Sequence, residues 1–437
     1  MNKKVILKCS EISYEGLGVS REFSKPIFVP NFFIDEIAEV IITKEYSKYA
    51  FGKVNKLIIK SKHRNNNELL CFNSAPLINL SYNEQIKQKS TYLINLLSRN
   101  LGIESTLISD FLPSSEIYNY RNKNEKYPLY TKENKLYFGE YINDSQIINQ
   151  NQDNLIQNKE NLNKTLRIII NKINNYTQEY KKYNNLNFFK EITLRINNKN
   201  QTQVLIKIHK EFDIPKTLLN DLYDINNLIE LNIQKEESIL NLFQKEPFIM
   251  KLNYMDFKVN IDSFFQINDF ISSKIFKLIK NKIKKYKFQT FIDLFCGVGV
   301  ISQLSCDINQ NIIGVDITRS SVHNAILNAK NNKFTHFKYL VGDAFEKIKQ
   351  ENIDYTNSLV IIDPPRSGLN SKLIEWLLKF KYIIYISCDP RTLTRDLKQF
   401  LSYNFKINYI QGFDMFPNTF HVETVVFLEK DNMKIGL

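Results

Sequence analysis

Asp293, Asp316, Asp343, Asp363 and Cys388 each stand where an apolar run gives way to polar residues, in "TFIDLF", "NIIGVD", "FKYLVGD", "SLVIIDPP" and "YIIYISC". One aspartate in that position is usually a helix cap or a turn residue. Four of them with a cysteine, all at one end of successive strands, describe a reactive rim, because open α/β sheets bind ligands at the carboxyl ends of their strands. The cysteine is the more telling member. A packing thiol sits comfortably inside an apolar run, whereas Cys388 lies where the run stops and Asp389-Pro390-Arg391 breaks it. A nucleophilic thiolate needs that exposure and a positive setting. Arg391 and Arg395 could lower its pKa or hold phosphate; both could equally be solvated helix residues, and for Arg395 that plainer reading is slightly favoured.

From about residue 256 these runs alternate with helical stretches such as "SSVHNAILNAKNN", "SKLIEWLLKF" and "TLTRDLKQFL". The alternation predicts an α/β domain, a Rossmann-like, doubly wound parallel sheet with helices on both faces. The first strand opens into "DLFCGVGVIS", where Gly297 and Gly299 allow a tight turn and a close approach of backbone to ligand. Asp316 follows Asp293 by 23 residues, the interval at which a carboxylate reaches a ribose hydroxyl. The glycine spacing is not GxGxxG, which moves the expected cofactor from a nicotinamide dinucleotide toward S-adenosylmethionine. Cys296, inside this loop, is expected to line the cofactor pocket as a small soft residue rather than to react.

Upstream the pattern differs. Residues 1–60 hold short alternating strands punctuated by Gly16, Gly18 and Pro30, which predicts a small OB-like β-barrel. Lys44, Tyr46, Lys48, Tyr49 and Phe51 would suit RNA backbone and stacking contacts, or be ordinary barrel surface. "NEQIKQKSTYLINLLSRNLG" reads as a helix with Ile86, Leu93, Leu96 and Leu97 inward and Gly102 as its stop. Residues 61–255 as a whole read as a central α+β region, and 256–437 as the catalytic domain.

The 437 residues carry 43% hydrophobic side chains and a net charge of +13, so the chain is globular; the charge suits an anionic partner, nucleic acid first and membrane surface second, or equally reflects a compositional drift toward Lys, Asn and Ile. The five cysteines, Cys9, Cys71, Cys296, Cys306 and Cys388, are scattered without a CxxC pair, so neither a disulfide framework nor a metal site is expected. The first residues lack the apolar run of a signal peptide, and no run approaches the roughly 18 apolar residues of a membrane span. A cytoplasmic protein that avoids membranes is the expectation.

Taken together, these motifs resemble the S-adenosylmethionine-dependent RNA uracil-C5 methyltransferases, which make 5-methyluridine in rRNA or tRNA. "SYEGLGVS…KPIFVPNFFIDEIAEVIIT" is similar to the family's N-terminal TRAM module, an OB-like RNA-binding barrel. "APLINLSYNEQIKQK" and "YNYRNKN" resemble the segments that follow it. "DSFFQIN", "DLFCGVG", "IDPPRSGL", "YISCDPRTLTRDL" and "FPNTFHVETVVFL" are similar, in order, to the catalytic blocks. The resemblance implies cofactor contacts from Gln266, Phe295 and Asp316, with Asp343 near the adenine and Asp363 facing the methyl donor and the target base. It implies Cys388 as nucleophile and Glu423 as base, with His421 structural. Many members carry a cysteine cluster before the segment similar to "PLINLSY"; here only Cys71 stands there, and one thiolate cannot hold an iron–sulfur cluster that needs four. No such cluster is expected.

The chemistry suits these residue types. C5 of uracil is a poor nucleophile until a thiolate adds to C6 and makes the ring an enolate. A carboxylate must then take the C5 proton so that the thiolate can leave. A base in paired RNA would have to be flipped out, or lie in a loop. An amino-group methyltransferase would follow its Asp-Pro-Pro with an aromatic, whereas Arg366 stands there. A rival of another class is an RNA-binding or folding factor with a vestigial methyltransferase domain.

Overall fold

The computed structural model describes residues 3–65, 74–124, 126–141, 148–149, 155–179 and 186–431. Two compact units emerge. The first gathers Met1–Ile117, Cys388–Arg391 and Gln411–Thr424; the second gathers Tyr118–Ser387, Thr392–Ile410 and Val425–Leu437. Among the described residues no helix is long and apolar enough to cross a membrane.

The first unit begins with β1 (Lys4–Lys8), β2 (Glu11–Ile12), β3 (Gly18–Ser20), β4 (Ile27–Val29), β5 (Ile37–Glu45) and β6 (Ala50–Ile59). They form one sheet in the order β1-β5-β6-β4-β3-β2. Its two ends, β1 and β2, are separated along the chain only by Cys9 and Ser10, so the sheet curls back on itself as a small barrel. Alternation places Leu7, Ile27, Val29, Ala38, Val40 and Ala50 inside around Phe32. Gly52 is required by packing: a Cβ there would meet the Val40 side chain at 2.4 Å.

Helix α1 (Tyr82–Leu101) follows, closed by Gly102 in the left-handed region at φ 66°, and then β7 (Ile108–Leu112). The helix and its stop lie where the sequence places them, but the inward stripe differs. It is Gln85, Lys89, Leu93 and Leu97, spaced i, i+4, while Ile86 and Leu96 are only half-buried. Half of that stripe is polar and must be satisfied. Lys89 Nζ bonds Asp414 Oδ1 at 2.5 Å and the Phe416 carbonyl at 3.1 Å, and Tyr82 donates to Asp414 Oδ2 at 2.7 Å. Gln85 Nε2 donates to Asn418 Oδ1 at 3.1 Å, and the Asn418 amide donates back to Gln85 Oε1 at 3.0 Å. The helix thus grips the segment that leads to Glu423.

The second unit has β8 (Tyr127–Lys132), β9 (Lys135–Phe138), a short β10–β11 pair (Glu140–Tyr141, Ile148–Asn149) and α2 (Glu160–Glu179). β12 (Phe189–Ile196), β13 (Thr202–Ile208), α3 (Lys216–Tyr223), β14 (Leu228–Lys235) and β15 (Ser238–Gln244) come next. The sheet β15-β14-β13-β12-β8-β9 shares an apolar core with α2 and α3, built on Leu162, Leu166, Ile169, Leu218 and Leu222. Cys71 and residues 145–147, 150–154 and 180–185 of the Asn/Gln-rich stretch lie outside the described residues.

After the hairpin β16 (Ile249–Leu252) and β17 (Met255–Lys258) comes strand–helix alternation. Its elements are α4 (Asp269–Ile283), β18 (Thr290–Leu294), α5 (Val300–Ser305), β19 (Asn311–Asp316), α6 (Arg319–Asn331) and β20 (Phe337–Val341). α7 (Ala344–Ile348), β21 (Ser358–Ile362), α8 (Ser371–Leu377), β22 (Tyr382–Ser387), α9 (Pro390–Ser402), β23 (Phe405–Phe413) and β24 (Glu423–Lys430) complete it. One sheet contains β20-β19-β18-β21-β22-β24-β23 in that order. The first five are parallel, and the order reverses between β18 and β21. This is the Rossmann-like arrangement expected of near-continuous apolar strands buried on both faces.

Candidate active site

In the second unit the carboxyl ends of β18, β19, β20 and β21 meet around the glycine loop. Phe295 turns there with φ 67°, in the left-handed region unusual for a side-chain-bearing residue, and its amide donates to the Val315 carbonyl at 2.9 Å. Gly297 and Gly299 also have positive φ, 53° and 80°. A Cβ at Gly299 would lie 2.6 Å from Gln303 Nε2, so α5 can start there only without one. A Cβ at Gly297 would meet nothing nearer than the Phe264 carbonyl at 3.9 Å, so open space lies before this turn.

Asp316 ends β19 and uses both carboxylate oxygens on backbone amides, Oδ2 from Gly297 at 2.9 Å and Oδ1 from Thr318 at 2.8 Å. Each oxygen keeps lone-pair capacity for a further donor. The next residue, Ile317, is 75% exposed, and Phe264 is 64% exposed. These exposed apolar side chains, Ile317 next to the carboxylate and Phe264 whose carbonyl faces Gly297, are suited to the faces of an adenosine group, and sequence reasoning missed both. The cradle, the carboxylate and the apolar flanks fit S-adenosylmethionine.

Asp343 is exposed and caps α7, accepting from the amides of Phe345 and Glu346, both at 3.0 Å. The amide before it, Gly342, donates to the Asp316 carbonyl at 2.9 Å, which holds the two rim positions side by side. Asp363 follows β21 directly, and its amide reaches the Leu294 carbonyl at 3.5 Å. Burial of its carboxyl pushes the Asp363 pKa up to about 7, with the Asp293 charge adding to the rise. Asp293 itself is one residue inside β18 and fully buried, so it is not at the rim. Its Oδ2 accepts from the Ser302 amide at 3.1 Å, fastening α5 under the loop. Cys296 is buried, with its thiol pushed well up by burial and by Asp293 and Asp316, so it is no thiolate.

Gln266 is half-buried, and the segment carrying it is caged by groups from the "YNYRNKN" stretch and the central sheet. Asn122 Nδ2 donates to the Gln266 carbonyl at 2.9 Å and to Asp269 Oδ1 at 2.7 Å. Lys123 donates to the Ile261 carbonyl at 2.9 Å. The wholly buried Arg195 donates to the carbonyls of Asn260 at 2.8 Å and Ser263 at 2.5 Å, and burial lowers its pKa to about 9. Arg195 carried no signal in the sequence, because its partners lie about 65 residues away. Arg395, half exposed, donates to the Ser367 carbonyl at 2.9 Å, bracing the loop after Asp363.

The first unit holds Cys388 and Glu423. Cys388 is half-buried, the first residue past β22; Glu423 is 4% exposed and opens β24. The Cys388 carbonyl accepts from the Tyr14 hydroxyl at 3.2 Å, and Asp389 bonds the Arg391 guanidinium at 2.9 and 3.2 Å. Arg391 stacks on the Tyr14 ring at 3.8 Å, so a cation stands three residues from the thiol. A groove of about 960 Å³ in this unit is lined by Tyr14, Lys87, Tyr92, Arg99, Arg391 and Phe420 among others. On the barrel, Tyr46 and Tyr49 lie with ring centroids 4.8 Å apart and Lys44 stands over Tyr46 at 5.0 Å. Both tyrosines are more than a third exposed.

Comparison with known proteins gives the family. An uncharacterized RNA methyltransferase of Oceanobacillus iheyensis is 27% identical, covering 98% of this chain and 96% of the relative. One of Lactobacillus johnsonii is 28% identical, covering 98% and 99%. Among solved structures, the Pyrococcus abyssi tRNA (uracil-54, C5)-methyltransferase in complex with S-adenosyl-L-homocysteine superposes with a TM-score of 0.73 at 22% identity. It covers 98% of this chain and 100% of its own, a likeness of fold. The tRNA (uracil-5-)-methyltransferase family matches residues 81–431. The chain belongs to that family and is an S-adenosylmethionine-dependent RNA methyltransferase.

Proposed function

We propose that the enzyme methylates C5 of a specific uridine in tRNA or rRNA through a covalent Cys388–C6 adduct, in the cytoplasm. The observation that carries this reading is that one compact unit holds a half-buried strand-end cysteine beside Arg391 and a buried glutamate, Glu423. The Cys388 thiolate adds to C6, and the ring electrons move to O4 as an enolate. Gln266, Phe295, Asp316, Asp343 and Asp363 would hold S-adenosylmethionine, which would supply an electrophilic methyl group. C5 takes that methyl group as the methyl–sulfur bond breaks, S-adenosylhomocysteine departs with the electron pair, and C5 is left with both a proton and the methyl. Glu423 removes the proton, the C5–C6 double bond re-forms, and the C6–S bond breaks to return the thiolate. Asp363 presents a carboxyl where the sulfonium charge is lost, and burial of Glu423 keeps water from competing for the proton.

The barrel, read as a TRAM-like RNA-binding module, would stack an unpaired base on Tyr46 or Tyr49 and meet backbone phosphate with Lys44 and Lys48. The groove in the same unit brings Lys87, Arg99 and Arg391 together with Glu11, Glu15 and Glu84.

The test uses RNA carrying 5-fluorouridine, whose C5 fluorine cannot leave as a proton does. The wild-type enzyme should form an adduct that survives denaturing electrophoresis, and Cys388→Ala should form none and transfer no methyl group. Glu423→Gln should accumulate adduct on ordinary uridine RNA. Methyl transfer retained by Cys388→Ala would sink the mechanism. Nucleoside mass spectrometry of separated tRNA and rRNA, from cells with and without the gene, names the substrate class.

A further inference from the structure

We propose that Tyr14, a residue of the barrel, is a positioning residue for methyl transfer, because its hydroxyl joins the segment carrying the nucleophile to the segment carrying the base. The inference rests on the roles of Cys388 and Glu423 given above. The Tyr14 hydroxyl donates to the Cys388 carbonyl at 3.2 Å and lies 3.3 Å from Nδ1 of His421, two residues before Glu423. A phenol has one proton, and the carbonyl can only accept. His421 therefore donates from Nδ1.

The ring of Tyr14 repeats the connection made by its hydroxyl. Arg391, anchored by Asp389, covers one face at 3.8 Å, and His421 meets the ring edge-on at 5.5 Å and 71°. Phe416 packs edge-on against His421 at 5.9 Å. One side chain thus touches the 388–391 loop at two points and the 421–423 segment at two.

Tyr14 is itself held firmly. It sits in a turn closed by the Ser13 amide to the Leu17 carbonyl at 2.7 Å and by the Gly16 amide to the Ser13 carbonyl at 2.9 Å. Gly16 has φ 80°, and a Cβ on it would strike Pro76 at 2.7 Å. The carbonyl that Tyr14 fixes belongs to the reacting residue, so its position sets where the Cys388 Sγ points. Small displacements of a nucleophile cost rate more than they cost affinity. The barrel would therefore contribute to the chemical step as well as to RNA capture.

Tyr14→Phe in the full chain removes the hydroxyl and keeps the ring under Arg391. Single-turnover methyl transfer at saturating RNA and S-adenosylmethionine should slow roughly three- to tenfold, the value of one hydrogen bond. Adduct formation with 5-fluorouridine RNA should slow by the same factor, while RNA Kd and KM stay within about twofold. His421→Asn, which can place an N–H near the Nδ1 position, should retain more of the rate than His421→Ala. A wild-type rate in Tyr14→Phe, a loss confined to KM, or a wild-type rate in His421→Ala would each overturn the proposal. Cys388→Ala, run alongside, separates the two readings. Turnover by that variant defeats the Cys388 mechanism itself, whereas an inactive Cys388→Ala with a fully active Tyr14→Phe defeats only the role of Tyr14.

Discussion

Asp316 holds the glycine loop in place: its Oδ2 accepts the backbone amide of Gly297 at 2.9 Å. The same carboxylate is the proposed ribose ligand, so one side chain shapes the cradle and occupies its edge. Asp316→Ala should weaken S-adenosylmethionine binding roughly tenfold to a hundredfold, the range of a charge-assisted hydrogen bond, with the loop loosened as well. Asp316→Asn keeps one oxygen acceptor and should lose less. Calorimetric titration of both variants checks the order; equal affinities for wild type and alanine would remove Asp316 from the cofactor site.

The proposed place of Asp363 beside the methyl donor carries a pH dependence with a definite sign. Burial, aided by Asp293, raises its pKa to about 7, so the carboxylate is mostly neutral below pH 6 and mostly ionised above pH 8. A bound sulfonium favours the ionised form, and linkage then requires affinity to rise with pH. S-Adenosylhomocysteine, which has no sulfonium, lacks that attraction. The preference for S-adenosylmethionine over S-adenosylhomocysteine should grow several-fold between pH 6 and pH 8, by up to about tenfold per unit of pKa depression. Asp363→Asn should flatten that rise. A preference independent of pH in the wild type would place Asp363 away from the methyl donor.

Lys89 and Asp414 form a wholly buried ion pair, with both side chains at 0% exposure. Burial lowers the Lys89 pKa while Asp414 supports the charged form. Lys89→Met leaves the carboxylate buried without its cation and should destabilise the first unit by about 3–5 kcal/mol. Lys89→Met with Asp414→Leu removes the stranded charge and should recover much of that loss. Urea unfolding followed by a probe in the barrel reads the difference; a double variant no more stable than the single would mean the pair contributes more than charge compensation.

Arg195 should matter to the cofactor without touching it. Its two hydrogen bonds fix the carbonyls of Asn260 and Ser263, just ahead of Gln266. Lysine cannot serve both carbonyls in the planar fork geometry of a guanidinium. Arg195→Lys should therefore cost about 2–4 kcal/mol of stability and weaken S-adenosylmethionine binding several-fold. Unchanged cofactor affinity in a destabilised variant would confine Arg195 to the fold.

The legible parts of this protein were those whose physics is local. The strands β18, β19, β21 and β22 could be read because a parallel sheet covered on both faces demands unbroken apolar runs. The rim positions Asp316, Asp363 and Cys388 followed from where those runs stop. The glycine loop was readable because Gly297 and Gly299 occupy conformations that need glycine. Asp293 misled for a related reason: it has the type of a rim residue, yet lies one position short of the strand end and is buried. What could not be read were relationships that join distant parts of the chain. Gln85 and Lys89 break the apolar stripe of α1, and their partners Asn418 and Asp414 lie more than 300 residues further on. Tyr14 stood inside a recognisable barrel motif, but nothing near it in sequence shows that its hydroxyl ends on Cys388.

The make-up of the first unit has a consequence for biosynthesis. Its three pieces, Met1–Ile117, Cys388–Arg391 and Gln411–Thr424, span nearly the whole chain. The barrel and α1 are translated early, yet Lys89 and Gln85 must wait for Asp414 and Asn418 before their burial is compensated. Closing so long a loop is slow, and native contacts of such separation place a protein among the late folders. Until then α1 presents Leu93 and Leu97 beside an unmatched lysine, a surface suited to chaperone capture. Cys388 and Glu423, the proposed nucleophile and base, therefore acquire their supporting contacts only near the end of translation, so a chain halted earlier would carry the barrel without them.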